Sequence, residues 1–265
     1  MSDTLRLEMD PAGVATITFS RPETSNSVDD ILVAELTASL AALAQNPHLR
    51  ALVLRSDGDT FCSGNDVRWL AHMSNEEQHD NFEQALRLAR MMQALDRLPA
   101  PVLAQINGPA MGVGVGIIAC CDMVVATSQA WFCLPETRIG LVPAIIAPYI
   151  VGKIGTSAAR RYFLTAERFG PGAAAHCGLI HEVMEDETDA ARQIKDWLDH
   201  LLLNGPHAVG AAKRLIATVA WRAIDDSLLS DTAHRIAHMR TREEAREGIA
   251  ALSENRAPWW VPHID

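Results

Sequence analysis

Apolar and polar residues alternate through Leu5–Met9 and again through Val14–Phe19. This period-two pattern predicts two strands, and the Asp-Pro-Ala-Gly stretch between them predicts a hairpin turn. Ser27, with Asp30 three positions on, has the form of a capping pair at a helix start. Behind it Ile31, Leu32, Leu36, Leu40 and Leu43 recur at helical spacing. RALVLRS (50–56) predicts a buried strand, followed by a DGDT turn and the segment FCSGNDV (61–67). An amphipathic helix is expected over residues 75–97, ended by Pro-Ala-Pro. VLAQI (102–106), MVVAT (123–127) and WFCLPE (131–136) predict further strands. From about residue 143 the pattern is helical to the end, apart from LIHEVM (179–184). Strand–helix alternation followed by helices predicts an α/β core with a helical C-terminal region. The division falls near residue 200, giving a core of 1–200 and a helical region of 201–265.

Composition narrows the classes. Of 265 residues, 48% are hydrophobic, enough for a sizeable core. A net charge of −10 disfavours nucleic acid and anionic membrane surfaces as partners, since both call for a basic face. Apolar runs are interrupted before the ~18 residues a membrane span needs. MSDTLRLEMD lacks the basic start and apolar stretch of a secretory signal. The five cysteines (Cys62, Cys120, Cys121, Cys133, Cys177) form no CxxC pair and sit mostly in apolar contexts. They suggest reduced core thiols in a cytoplasmic protein.

The segment INGPAMGVGVGIIACCD (106–122) places Gly112, Gly114 and Gly116 at the start of an apolar helix. It is not a dinucleotide fingerprint, because Ile117 stands where the third glycine would fall. Two readings remain open: glycines that let another element pack closely, or bare N–H groups at a helix start that receive a negative oxygen. His234 and His238 lie one turn apart, but Arg235 replaces the glutamate of a zincin helix, so no metal is expected. Ser63 lacks a nucleophile elbow, which argues against a serine hydrolase. Glu136, straight after a proline in an apolar stretch, is either a structural acid or an acid/base with a raised pKa.

Taken in order, SRPETSNSV, FCSGNDV, INGPAMGVGVGIIACCDMVVA, FCLPETRIGLVP and TREEAREGIAALSENRAPW resemble the signature blocks of the crotonase (enoyl-CoA hydratase/isomerase) superfamily. The likeness spans essentially the whole chain. It implies an α/β spiral of ββα units, a helical C-terminal region that packs homotrimers or dimers of trimers, and an acyl-CoA thioester substrate. It implies no cofactor, coenzyme A being part of the substrate. The oxyanion hole of that family maps onto the backbone N–H groups of Asn65 and Val113, and Ser63, Gly64, Gly112 and Gly116 map onto the substrate site. Of the two glutamates usual in its hydratases, one aligns with Glu136 and the other with Gly116. The usual PGxGG reads PAIIAP here (143–148). GIIACCDMVVA, RIGLVPAIIAPYI and ARRYFLTAERF look most like a bacterial subgroup assigned to methylglutaconyl-CoA or related carboxy-branched hydration, as in leucine breakdown. The resemblance therefore implies hydration of a branched or carboxylated 2-enoyl-CoA through Glu136. A Δ3,Δ2-enoyl-CoA isomerase, or a homologue that only binds acyl-CoA, is the alternative. Trp259 and Trp260 are candidate interface anchors.

Overall fold

The computed structural model describes residues 4–261, so residues 1–3 and 262–265 of the two expected regions lie outside the described residues. The alternating segments form the expected hairpin, β1 (Leu5–Met9) and β2 (Val14–Phe19), with Leu5 opposite Phe19 and Met9 opposite Ala15. The Asp10 carboxylate accepts from the Val14 N–H across the turn. The remaining strands are β3 (Ala51–Ser56), β4 (Val102–Ile106), β5 (Ala110–Met111), β6 (Met123–Thr127), β7 (Phe132–Cys133) and β8 (Glu182–Met184). One sheet runs β1-β2-β3-β4-β6-β8 and is parallel from β2 onward, while β5 and β7 make a separate small parallel pair.

A parallel sheet covered on both faces needs strands that are apolar nearly throughout, and β3 and β4 meet this with almost continuously buried runs. The helices are α1 (Asp30–Gln45), α2 (Val67–Met73), α3 (Gln78–Asp96), α4 (Val113–Ala119) and α5 (Ala147–Thr165), then α6 (Pro171–His176), α7 (Glu187–Leu202), α8 (Pro206–Val219), α9 (Asp226–Arg240) and α10 (Glu243–Ser253). Ile17, Leu52, Leu54 and Ala104 pack one sheet face against α1, α3, α4 and α5. Val53, Leu103 and Val125 pack the other against Ala190 and Ile194 of α7. Beyond α7 the chain buries few apolar side chains, among them Leu228 and Ala251.

Three local expectations are corrected. Asp29, not Ser27, caps α1: its carboxylate accepts from the Leu32 N–H at 2.9 Å, while the Ser27 hydroxyl donates to Asp66. With that start Ile31 turns outward, 47% exposed, and Val33 takes an inward place beside Leu32 and Leu36. WFCLPE pairs only at Phe132 and Cys133, because Pro135 leads straight into a single 3-10 turn over Glu136–Ile139. The helix expected over 75–97 begins at Gln78. As expected, the chain after 143 is helical apart from β8.

Candidate active site

Three connections converge beside the small β5–β7 pair. Ser63–Asp66 leads from β3 into α2, Gly112 joins β5 to α4, and Glu136 opens the turn after β7. Val28 fixes the first by pairing with it as a parallel bridge: its N–H donates to the Gly64 carbonyl at 2.8 Å, and its carbonyl accepts from the Asp66 N–H at 2.8 Å. In such a bridge the N–H of the intervening residue points to the other side, and that residue is Asn65. The second connection is pinned by Met111 N–H to the Cys62 carbonyl (2.9 Å) and Gly112 N–H to the Cys133 carbonyl (3.0 Å).

Two glycines are required by geometry. Gly64 has φ +90° and a Cβ there would lie 3.0 Å from the Met111 carbonyl oxygen. Gly112 has φ +49° and a Cβ there would lie 2.8 Å from Glu136 Oε1. This turn lets α4 begin with Val113 in ordinary negative-φ backbone. Among the described residues neither the Asn65 N–H nor the Val113 N–H meets an acceptor. Two free donors at a loop and a helix start can hold an oxygen on which negative charge develops.

Glu136 borders the same point, and burial raises its pKa above the usual carboxylate range, opposed by a hydrogen bond from its own N–H. Its Oε2 is buried and accepts no hydrogen bond among the described residues. A desolvated carboxyl of this kind holds a proton more tightly than one in water, which suits it to proton transfer. A cleft of about 750 Å³ opens along Asn65 and Met111 and is lined also by Arg21, Ser63, Trp69 and Gln84. The Ser63 hydroxyl donates to the Thr24 carbonyl at 3.4 Å, so it serves the loop here. Arg21 is paired with Asp29 at 2.6 Å.

The glycines of the segment have different surroundings. Gly112 serves the backbone turn. Gly114 and Gly116 serve packing: a Cβ on Gly114 would lie 2.8 Å from the Cβ and carbonyl oxygen of Cys62. A Cβ on Gly116 would overlap Ile146 Cγ2, with Ile146 Cβ at 2.8 Å and Met92 Cε at 3.1 Å. Gly116, expected at the substrate site, is thus buried under Ile146. The isoleucine of PAIIAP fills the space into which a side chain at 116 would project. Sequence reasoning missed Ile146 in this role, as well as Arg21, Trp69 and Gln84 in the cleft. Periodicity carries no signal for a contact between residues 30 positions apart.

The enoyl-CoA hydratase/isomerase family profile matches residues 9–262, and the chain belongs to that family. It is similar to the enoyl-CoA hydratase AKT6-1 of Alternaria alternata, 35% identical over 77% of this chain. The match covers 66% of that relative's length. It is also similar to the 1,2-epoxyphenylacetyl-CoA isomerase of Escherichia coli, 28% identical over 93% of this chain and 94% of the relative. Its fold matches the crystal structure of an enoyl-CoA hydratase from Shewanella pealeana with a TM-score of 0.93 and 35% identity, covering 97% of this chain and 96% of the other. The α/β crotonase fold expected from the signature blocks is therefore the fold of this chain.

Proposed function

We propose that the protein hydrates a branched or carboxylated 2-enoyl-CoA reversibly, with Glu136 as its single acid/base and the Asn65 and Val113 N–H groups as its oxyanion hole. The observation that carries this reading is the convergence of two acceptor-free N–H groups and a desolvated carboxyl on one point beside Gly112. The thioester carbonyl docks on the two N–H groups, which withdraw charge and make C3 electrophilic. Water adds through oxygen to C3 while its proton passes to the Glu136 carboxylate. The C2–C3 π electrons move to the carbonyl oxygen, giving an enolate held by the two donors. Glu136 returns the proton to C2 and the carbonyl re-forms, so one water is added and the carboxylate is regenerated. A donor of this kind is worth about 3 to 4 kcal/mol of barrier, and positioned acid–base transfer about 10² to 10⁴ in rate.

The acyl class rests on the resemblance of residues 116–126, 138–150 and 159–169 to carboxy-branched hydratases. A second reading, transfer of a proton between C2 and C4 by the same glutamate, is favoured by the lack of a carboxyl at 116. The similarity to an isomerase adds to it. The same proposal includes no cofactor and a cytoplasmic setting, the latter supported by five free cysteines. Among the described residues no helix is long and apolar enough to cross a membrane. It also includes trimer packing through α8–α10, supported by Trp221 and Ile224, 90% and 85% exposed. Trp259 is exposed, whereas Trp260 donates from its indole to the Leu203 carbonyl within the chain.

The test is a panel of straight, 3-methyl-branched and carboxylated 2-enoyl-CoA esters, followed by the absorbance of the conjugated thioester. Loss of absorbance, fastest with 3-methylglutaconyl-CoA, is expected. Gain of absorbance from 3-enoyl esters, with no hydration of any 2-enoyl ester, would select the isomerase.

A further inference from the structure

A hydratase with one glutamate must hold its water by other means, because a single carboxylate oxygen leaves the attacking lone pair free to rotate away. Two buried side-chain oxygens accept no hydrogen bond among the described residues: Glu136 Oε2 and Asn65 Oδ1. They belong to the two segments that meet at Gly112. The place a Cβ on Gly112 would take is 2.8 Å from Glu136 Oε1 and 3.9 Å from the Cα of Gly64, the neighbour of Asn65. A buried polar atom left unpaired is costly, so two such acceptors on segments that meet at Gly112 call for a donor, and a partner shared between them is the simplest supply. Both are acceptors, and the partner must donate twice. Water has two donors and keeps its lone pairs for chemistry.

We propose that the Asn65 side chain positions the nucleophilic water, accepting one of its hydrogens on Oδ1 while Glu136 Oε2 accepts the other. This rests on the hydratase reading above. Asn65 then acts twice, through its main-chain N–H on the thioester oxygen and through its amide on the water. With both hydrogens engaged, the oxygen lone pair is aimed away from the two acceptors. The hydrogen on Glu136 transfers as the C3–O bond forms, and the one on Asn65 stays as the hydroxyl hydrogen of the product. Asn65 takes up no proton. The amide supplies the second contact that a carboxyl at 116 would otherwise give, since Ile146 fills that position.

The experiment compares Asn65→Ala with wild type in two reactions. One is hydration of a 2-enoyl-CoA; the other is exchange of the C2 hydrogen of butyryl-CoA in D2O, which needs Glu136 and the oxyanion donors but no attacking water. Hydration is expected to fall about 30- to 100-fold more than exchange does, the scale of a misplaced reactant. Asn65→Asp, which keeps an acceptor oxygen at the same reach, should hydrate faster than Asn65→Ala. Equal losses in both reactions, undiminished hydration, or an aspartate variant no better than alanine would each overturn the assignment. Wild type that exchanges C2 hydrogen but hydrates no 2-enoyl-CoA would instead overturn the hydratase reading itself, and the water with it.

Discussion

Replacing Gly116 with alanine sets two effects of opposite sign against each other. In a helix interior alanine is favoured over glycine by about 1 kcal/mol. Against this stands Ile146, whose Cγ2 would overlap the new methyl and whose Cβ would lie 2.8 Å away. The neighbouring Met92 Cε, at 3.1 Å, is a flexible end that can swing aside. Ile146 is branched, 2% exposed, and tied at the start of α5 by its carbonyl to the Ile150 N–H. Overpacking a core costs about 1–3 kcal/mol, and this overlap belongs at the upper end, so Gly116→Ala should lose about 2 kcal/mol net. That is a fall of about 4–8 °C in Tm, at roughly 2–4 °C per kcal/mol for a chain of this size. Gly152, in α5, provides the control: a Cβ there meets nothing within 4 Å, so Gly152→Ala should gain up to about 1 kcal/mol. Ile146→Ala alone should cost about 2–5 kcal/mol, and the two changes together less than their sum, because the new methyl refills part of the cavity. Urea unfolding monitored by circular dichroism measures all four variants. If Gly116→Ala is stabilised as Gly152→Ala is, or if the changes simply add, Ile146 does not close position 116 and the packing argument is wrong.

Glu136 should show its raised pKa in two ways. As the base it must be ionised, so kcat/KM should rise with pH through an acid limb above the ordinary glutamate value, and Glu136→Gln should erase that limb. A folded pKa above the unfolded one means the native state binds the proton more tightly, so stability is lost as pH rises through the folded pKa. Glu136→Gln should therefore raise Tm at pH 7 by more than at pH 4; an equal change at both would contradict the desolvation argument. Val113→Gly should keep substantial activity, since the donor is main chain, whereas Val113→Pro deletes it and should not. Activity in a folded Val113→Pro enzyme would remove that N–H from the oxyanion hole.

Alternation marks the two hairpin strands, unbroken apolar runs mark β3 and β4, and helical spacing marks the helices, but burial in the hairpin does not follow the alternation, since β1 is mostly exposed and β2 almost wholly buried. At the start of α1 Ser27 and Asp29 both have capping chemistry, and the choice between them depends on Asp66, which takes the Ser27 hydroxyl. The short β7 shows a similar limit: apolar residues continue past Cys133, but pairing stops where Pro135 turns the chain. At the site, Glu136 was visible as an acid in an apolar stretch, and the glycines as a cost needing a reason. Their division of labour was not visible. Gly112 and Gly116 look alike in sequence, yet one faces Glu136 and the other Ile146, a difference set by one turn of α4. The Asn65 amide oxygen, which meets no donor among the described residues, is likewise a fact of three-dimensional neighbourhood.

In the proposed reaction one carboxyl, Glu136, carries the proton beside two main-chain donors. The most direct measurement of this is turnover of a 2-enoyl-CoA ester by Glu136→Gln alongside the affinity of that variant for the ester. Hydration is expected nearly to vanish while binding stays within a few-fold, because the two main-chain donors and the cleft are untouched. A variant that keeps more than about a tenth of wild-type kcat, a smaller loss than acid–base catalysis ordinarily accounts for, would show that Glu136 is not the group that moves the proton.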